Sequence, residues 1–293
     1  MKVTVLNSYG YCFGVERAVN TALKALKEHK KAYTIGPIVN NPHTNAKLAG
    51  QGLITVKSIN DIPDGEVFFY PSHGISREDM DLAGKKGLKV YSLICPFVIS
   101  IEKTVKDWEA RGYDIIIFGD PAHTEVKSYR SKLNNVQIVQ NKEDIKHLKS
   151  FNKALFISQS TQNKERFYEI FSGVSKICEW SEFIGKFTIC SAVYERQEWL
   201  IGNVKKFDFV LVVGGYGSSN TKKLYDISVS QNVACLHKEQ WDEEIYEALS
   251  PRRSVAIVSG TSSPKSNVDD IIKELQKRVT ENGSKITVSY AEC

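Results

Sequence analysis

The chain has no run of about eighteen apolar residues, the length a helix needs to cross a bilayer, and it passes from Met1 straight into a strand-like segment without a secretory leader. A cytoplasmic protein with no membrane partner is the expectation. Six cysteines in 293 residues are too sparse for a small disulfide scaffold, so a reducing compartment would leave them as thiols. No Lys/Arg block is long enough to argue for nucleic acid; Lys103 with Lys106, and Lys222 with Lys223, read as solvated helix surface. Neither Gly214-Gly215-Tyr216-Gly217 nor Gly10-Tyr11-Cys12-Phe13-Gly14 has the full spacing of a dinucleotide fingerprint, and the first also lacks the downstream acidic partner.

What is present is the composition of an ordinary globule, 42% hydrophobic and 25% charged, with a formal charge of +5 that suits an anionic substrate. A chain of 293 residues can hold one large core or two or three small domains around one site. Apolar, β-branched runs at Lys2-Leu6, Lys31-Ile35, Gly65-Tyr70, Lys89-Ile94, Asp114-Phe118, Ala154-Ile157, Phe207-Val213 and Ser254-Val258 predict strands. Lys186-Ile189 and Ile286-Tyr290 predict two shorter ones. Between them, Val15-His29, Ile99-Arg111, Lys164-Phe171, Lys222-Val229 and Asn267-Val279 carry apolar residues at helical spacing. Strands alternating with helices predict an α/β protein with mostly parallel sheets.

Three cysteines fall where a predicted strand gives way to a helix: Cys12, Cys95 and Cys190. Equivalent settings so far apart in sequence suggest one metal centre assembled from three parts of the chain. Three thiolates on an iron-sulphur cube leave one iron open for redox or Lewis-acid chemistry. Inert burial is the bland alternative for any one thiol, and zinc lacks an evident fourth ligand. Cys178 and Cys235 read as core or partly buried residues, while the tail residue Cys293 has no readable role.

Further words surround these thiols: Tyr11-Cys12-Phe13-Gly14-Val15-Glu16-Arg17-Ala18, Ser72-His73-Gly74-Ile75-Ser76, Cys95-Pro96, Ala122-His123-Thr124-Glu125-Val126, Ile189-Cys190-Ser191-Ala192, Arg196-Gln197, Ser218-Ser219-Asn220 and Gly260-Thr261-Ser262-Ser263-Pro264. In this order and spacing the chain resembles the 4-hydroxy-3-methylbut-2-enyl diphosphate reductase family, also known as LytB, over nearly its whole length. The resemblance implies a trefoil of three related α/β units with mostly parallel sheets around a central iron-sulphur site. Its units are expected at 14–95, 96–193 and 194–293, with the strand and cysteine loop 1–13 joined to the third.

The implied cofactor is one 4Fe-4S cluster on Cys12, Cys95 and Cys190 with an open fourth iron, reduced to a 3Fe-4S remnant by oxidation. The implied reaction removes the C4 hydroxyl of the family's diphosphate substrate to form isopentenyl and dimethylallyl diphosphates. Electrons are expected from ferredoxin or flavodoxin. Glu125 is the expected proton donor, since a carboxyl group shielded in a closed site keeps its proton near neutrality. It lies in what looks like the family's His-Pro-Glu-Val segment, read here as a loop, with Thr124 in place of proline. By the same resemblance His123 and Thr161 help to transmit protons, while His73, His123, Ser218, Ser219, Asn220 and Ser262 cradle the diphosphate.

Several positions depart from the family pattern. Asn40, in Val39-Asn40-Asn41, stands where histidine is usual and cannot carry its charge, although it can still donate a hydrogen bond. Tyr216-Gly217 replaces a basic residue and Asn, and Lys265 follows Pro264 where an acid is common. All three lie towards the substrate's anionic end. A related reductase acting on a different small oxidised substrate is therefore the alternative reading, followed by a noncatalytic iron-sulphur sensor.

Overall fold

The structure is a computed structural model describing residues 1–149, 151–177 and 181–292. The chain begins β1 (Lys2–Leu6), α1 (Phe13–His29), β2 (Ala32–Ile35), α2 (Pro42–Ala49), β3 (Leu53–Val56), β4 (Val67–Tyr70), α3 (Arg77–Lys85), β5 (Lys89–Ser92) and α4 (Pro96–Ala110). It continues with β6 (Asp114–Phe118), α5 (Thr124–Arg130), β7 (Val136–Val139), α6 (Lys142–Ile145), β8 (Lys153–Ser158), α7 (Lys164–Ser175), β9 (Glu182–Gly185) and α8 (Ser191–Asn203). It closes with β10 (Phe209–Val213), α9 (Ser219–Ser230), β11 (Cys235–Lys238), α10 (Glu243–Leu249), β12 (Ser254–Ser259), α11 (Lys265–Glu281) and β13 (Thr287–Ala291). Cys178 and Cys293 lie outside the described residues.

These strands form three sheets, and every pairing among the described strands is parallel. The expected α/β architecture of three parallel-sheet units is the observed one. By contacts the chain divides into two compact units, one of residues 1–15, 40–44 and 191–293, the other of 16–39 and 45–190.

The first unit holds a sheet of order β11-β10-β12-β1-β13, which places the amino-terminal strand between two strands of the last third of the chain. Alternation along each strand sends Leu211, Val213, Val5 and Ile257 towards Ile271 and Leu275 of α11, while Val210, Val212 and Val258 meet Leu200 of α8 and Leu224 of α9. Two covered faces explain why β10 reads as one unbroken apolar run, Phe209-Val210-Leu211-Val212-Val213. Each such side chain contributes about 1.5–3 kcal/mol on burial.

The second unit holds two sheets, of order β3-β2-β4-β5 and β7-β6-β8-β9. Ile115, Ile117, Leu155 and Ile157 pack against Ile101 and Val105 of α4 and Val126 and Tyr129 of α5, fixing the helix that carries Glu125.

One expected strand is displaced. Residues Lys186-Ile189 are not in a strand; β9 lies just upstream. The ladder with β8 gives out because Thr188 takes over its hydrogen bonds with a side chain. Its Oγ1 accepts from Ser158 N–H at 2.8 Å and donates to Ser158 C=O at 2.7 Å, leaving the backbone free to turn towards Cys190.

Candidate functional site

All three motif cysteines are half-buried and sit in the turn that follows a strand (β1, β5 and β9), directly before a helix. Cys12 precedes α1, Cys190 precedes α8, and Cys95 is the N-cap of α4, with Pro96 at the first helical position, where its missing N–H costs nothing. The backbone around each cysteine is held in the same way. Cys12 N–H donates to Thr261 C=O at 3.0 Å, Cys95 N–H to Ser72 C=O at 3.1 Å and Cys190 N–H to Ser160 C=O at 2.9 Å. Each acceptor lies in the turn after the strand next to the cysteine's own: β12, β4 and β8. Among the described residues no three His, Cys, Asp or Glu side chains form a ready-made metal cage. The donor set nevertheless fits an iron-sulphur cluster, because cysteine sulphurs are the ligands such clusters take and each of the three is half-buried in a turn directly before a helix.

Within the second unit, Glu125 lies in the first turn of α5, not in a loop, and Thr124 occupies the first helical position, where proline is also at home. Its carboxyl is 1% exposed. Oε1 accepts from Ser160 N–H at 2.8 Å and from the Tyr129 hydroxyl at 3.3 Å, while Oε2 accepts from Ser160 Oγ at 2.6 Å. Burial raises the pKa of Glu125; the bonds from Ser160 and Tyr129 pull the other way and do not cancel it. Tyr129 is itself held protonated by burial and by the neighbouring carboxylate.

His123 caps α5, with Nδ1 accepting from Glu125 N–H at 3.3 Å, so the neutral ring carries its hydrogen on Nε2. His73 meets it edge to face at 5.8 Å. Burial first, and His123 second, push the pKa of His73 down to about 4, so it serves as a neutral hydrogen-bonding group at neutral pH. Thr161 accepts from Gln159 Nε2 at 2.7 Å, and Gln159 Oε1 accepts from Asp120 N–H at 3.0 Å. The hydroxyl against Glu125 is that of Ser160. Sequence reasoning passed over Ser160, and no spacing in Gln159-Ser160-Thr161 tells which hydroxyl faces the acid.

Of the residues expected at the anionic end, the first unit holds Asn40, Ser218, Ser219, Asn220 and Ser262, while His73 and His123 lie in the second. Ser218 caps α9, accepting from Thr221 N–H, and places Ser219 at the helix start. Ser262 Oγ donates to Asn40 C=O at 3.2 Å and lies 3.4 Å from Ser218 Oγ. Asn220 is 2% exposed and, among the described residues, neither of its amide atoms has a partner; Thr221 Oγ1 is likewise unpaired. A buried amide left so costs about 1–3 kcal/mol, and a bound phosphate oxygen would satisfy its N–H. Glycine is required at two points of this cradle. A Cβ on Gly215 would lie 2.6 Å from Asn40 C=O, and one on Gly260 only 2.0 Å from Thr221 Oγ1.

Of the departures from the family pattern, Tyr216 is exposed and its N–H is taken by Glu239 Oε1 at 2.9 Å. Lys265 opens α11 with its ammonium 5.0 Å from the centre of the Tyr9 ring. The remaining described cysteine, Cys235, is half-buried on the edge strand β11, its pKa raised by burial, and stands at none of the motif turns.

The profile of the LytB protein family matches residues 3–276. A 4-hydroxy-3-methylbut-2-enyl diphosphate reductase of Alkaliphilus oremlandii is 34% identical over 280 residues, covering 94% of this chain and 99% of its own length. One from Kosmotoga olearia is 34% identical over 301 residues, covering 98% of this chain and 100% of its own. Among solved structures, the E-1-hydroxy-2-methyl-but-2-enyl-4-diphosphate reductase of Plasmodium falciparum superposes with a TM-score of 0.89 at 28% identity, covering 99% of this chain and 92% of its own.

Proposed function

The chain belongs to the LytB protein family, and on that premise we propose that it removes the C4 hydroxyl of 4-hydroxy-3-methylbut-2-enyl diphosphate to give isopentenyl and dimethylallyl diphosphates. It is an enzyme of the reductase class to which its relatives belong. The observation that carries the proposal is the buried Glu125, its pKa raised by burial, bonded to Ser160, whose carbonyl holds the Cys190 amide.

Cys12, Cys95 and Cys190 are the proposed ligands of a 4Fe-4S cluster, converted to 3Fe-4S when oxidised. When bound, the cluster supplies the electrons and an open iron for the substrate's hydroxyl end. Glu125 supplies the proton. Protonated at Oε2, it donates to Ser160 Oγ across the 2.6 Å contact, and the serine hydroxyl turns its own hydrogen outward, so the proton leaves by a group already in place. His123 and Thr161 are assigned to the ordering of this path. His73 donates a hydrogen bond without charge, and His123 donates through Nε2.

Asn40, Ser218, Ser219, Asn220 and Ser262 are assigned to the diphosphate, at the start of a helix whose N–H groups favour an anion. The electrons are assigned to a ferredoxin or flavodoxin. Among the described residues no helix is long and apolar enough to cross a membrane. The units 14–95, 96–193 and 194–293 with 1–13 are proposed as the three repeats that present these turns.

The test is anaerobic reconstitution followed by turnover of the diphosphate with a competent electron donor, beside a working relative. Release of the two isoprenoid diphosphates is expected. Failure to bind or reduce the compound would point instead to another small oxidised substrate, the reading favoured by Asn40 and by the Glu239 carboxylate on the Tyr216 amide.

A further inference from the structure

We propose that Arg196 is a positioning residue whose guanidinium fixes the spacing between the Cys12 thiol and the Ser262 hydroxyl, and so between the cluster end and the anion end of the site. The proposal rests on the function proposed above.

Arg196 projects from α8 and is 3% exposed. Nη1 donates to Ser259 C=O at 3.0 Å; Nη2 donates to Gly10 C=O at 2.9 Å and also to Ser8 C=O. Ser8 and Gly10 belong to the turn that leads from β1 to Cys12, and Ser259 ends β12 and leads through Gly260 and Thr261 to Ser262. The β1–β12 ladder runs only from Lys2↔Ser254 to Val5↔Ile257. Beyond it the two turns are tied by the guanidinium, by the Ser259 hydroxyl accepting from Gly10 N–H at 3.1 Å, and by the Cys12–Thr261 bond at 3.0 Å.

A planar fork reaches three carbonyls of two turns at once, and its charge strengthens each bond. A lysine ammonium cannot match that geometry. The consequence is chemical because a substrate held by its hydroxyl at one end and its diphosphate at the other spans both turns. Each end can be intact while their separation is wrong, and small misplacements of reacting groups are costly in rate. The second unit contains a related contact, Arg17 of α1 donating to Ile94 C=O just before Cys95.

The experiment compares reconstituted wild type with Arg196→Lys and Ser259→Ala, the second removing a weaker tie of the same bridge. Four quantities are read: iron and sulphide content, inorganic pyrophosphate affinity by calorimetry, the shift that the full diphosphate substrate induces in the cluster's paramagnetic resonance spectrum, and kcat with KM. In R196K, iron content and pyrophosphate affinity should stay close to wild type, while the substrate-induced shift weakens and kcat falls by about tenfold or more. S259A should move the same way by less. An unchanged shift and kcat in R196K overturn the proposal, and so does loss of iron, pyrophosphate binding and turnover together in a folded protein, which marks a merely structural role. If R196K does not fold, S259A decides by the same criteria. Wild type that binds neither pyrophosphate nor substrate overturns the functional reading and the proposal with it; wild type that binds both, with unaltered variants, overturns the proposal alone.

Discussion

Replacing Glu125 by Gln separates two things that the carboxyl does, and the structure gives each a sign. The amide keeps the shape: its oxygen accepts from Ser160 N–H, and its NH2 donates to Ser160 Oγ, which gives up its role as donor. What disappears is the acidic proton and the cost of ionising a carboxyl that is 1% exposed. Because the folded-state pKa lies above the unfolded value, the stability linked to this group is fully present below the unfolded pKa and is lost as pH rises through the folded one. E125Q has no such loss. Its stability relative to wild type should therefore rise as pH climbs above the ordinary carboxylate range, measured by urea unfolding of the cluster-free protein across a pH series. Single-turnover reduction by the loaded enzyme should fall roughly a hundred- to ten-thousand-fold. E125A provides the contrast. It leaves the buried Ser160 N–H without its carboxylate partner, for a cost of about 1–3 kcal/mol. A stability difference between E125Q and wild type that does not move with pH would refute the burial argument, and an unchanged single-turnover rate would remove Glu125 as the proton donor.

Replacing Cys12, Cys95 or Cys190 singly by Ser should lower iron and sulphide bound after anaerobic reconstitution, whereas Cys235→Ala should leave both at wild-type levels; the reverse pattern would sink the ligand assignment. His73, with its pKa pushed down to about 4 from 6.5, supports the fold fully above pH 6.5 and loses that support as pH falls towards 4. His73→Gln should thus flatten acid unfolding of the cluster-free protein by at most about 3 kcal/mol across that window, and an unaltered acid limb would contradict it. Asn220→Ala removes an amide with neither atom paired, so thermal stability should hold or rise while pyrophosphate affinity drops by about tenfold or more; equal affinity by calorimetry would detach Asn220 from the anion.

The strands most legible in the sequence are those buried on both faces. Ile115-Ile116-Ile117 and Val210-Leu211-Val212-Val213 present unbroken apolar runs because helices cover both sides of their sheets. The short β3, β7 and β11 escape such a reading. Each lies at a sheet edge, and Cys235-Leu236-His237-Lys238 is half-buried throughout, so no apolar run marks it. Helix α5 escapes for another reason: its seven residues are too few for a periodic pattern, and His123 caps it with a ring nitrogen where Ser, Thr, Asp or Asn would have announced the start. At the proposed site, the thiol turns and the acid stand out in the sequence as words. Which hydroxyl meets the acid does not, because Ser160 and Glu125 stand 35 residues apart and their contact depends on how β8 ends beside β6.

Those words occur in pairs for a backbone reason. Where a strand's ladder stops, the next N–H groups still need acceptors if they are not to be buried unpaired. At all three motif cysteines the acceptor comes from the turn of the adjacent strand: Thr261 for Cys12, Ser72 for Cys95 and Ser160 for Cys190. One residue further on, or on the same residue, stands a group assigned to the substrate or its protons: Ser262, His73 and Ser160 itself. The bond that satisfies a cysteine's amide therefore also sets a residue assigned to the substrate beside it, in the turn of the neighbouring strand. A change in either turn displaces both, which is why Arg196, bonded to carbonyl oxygens of both turns, is proposed to bear on chemistry at both ends of a substrate.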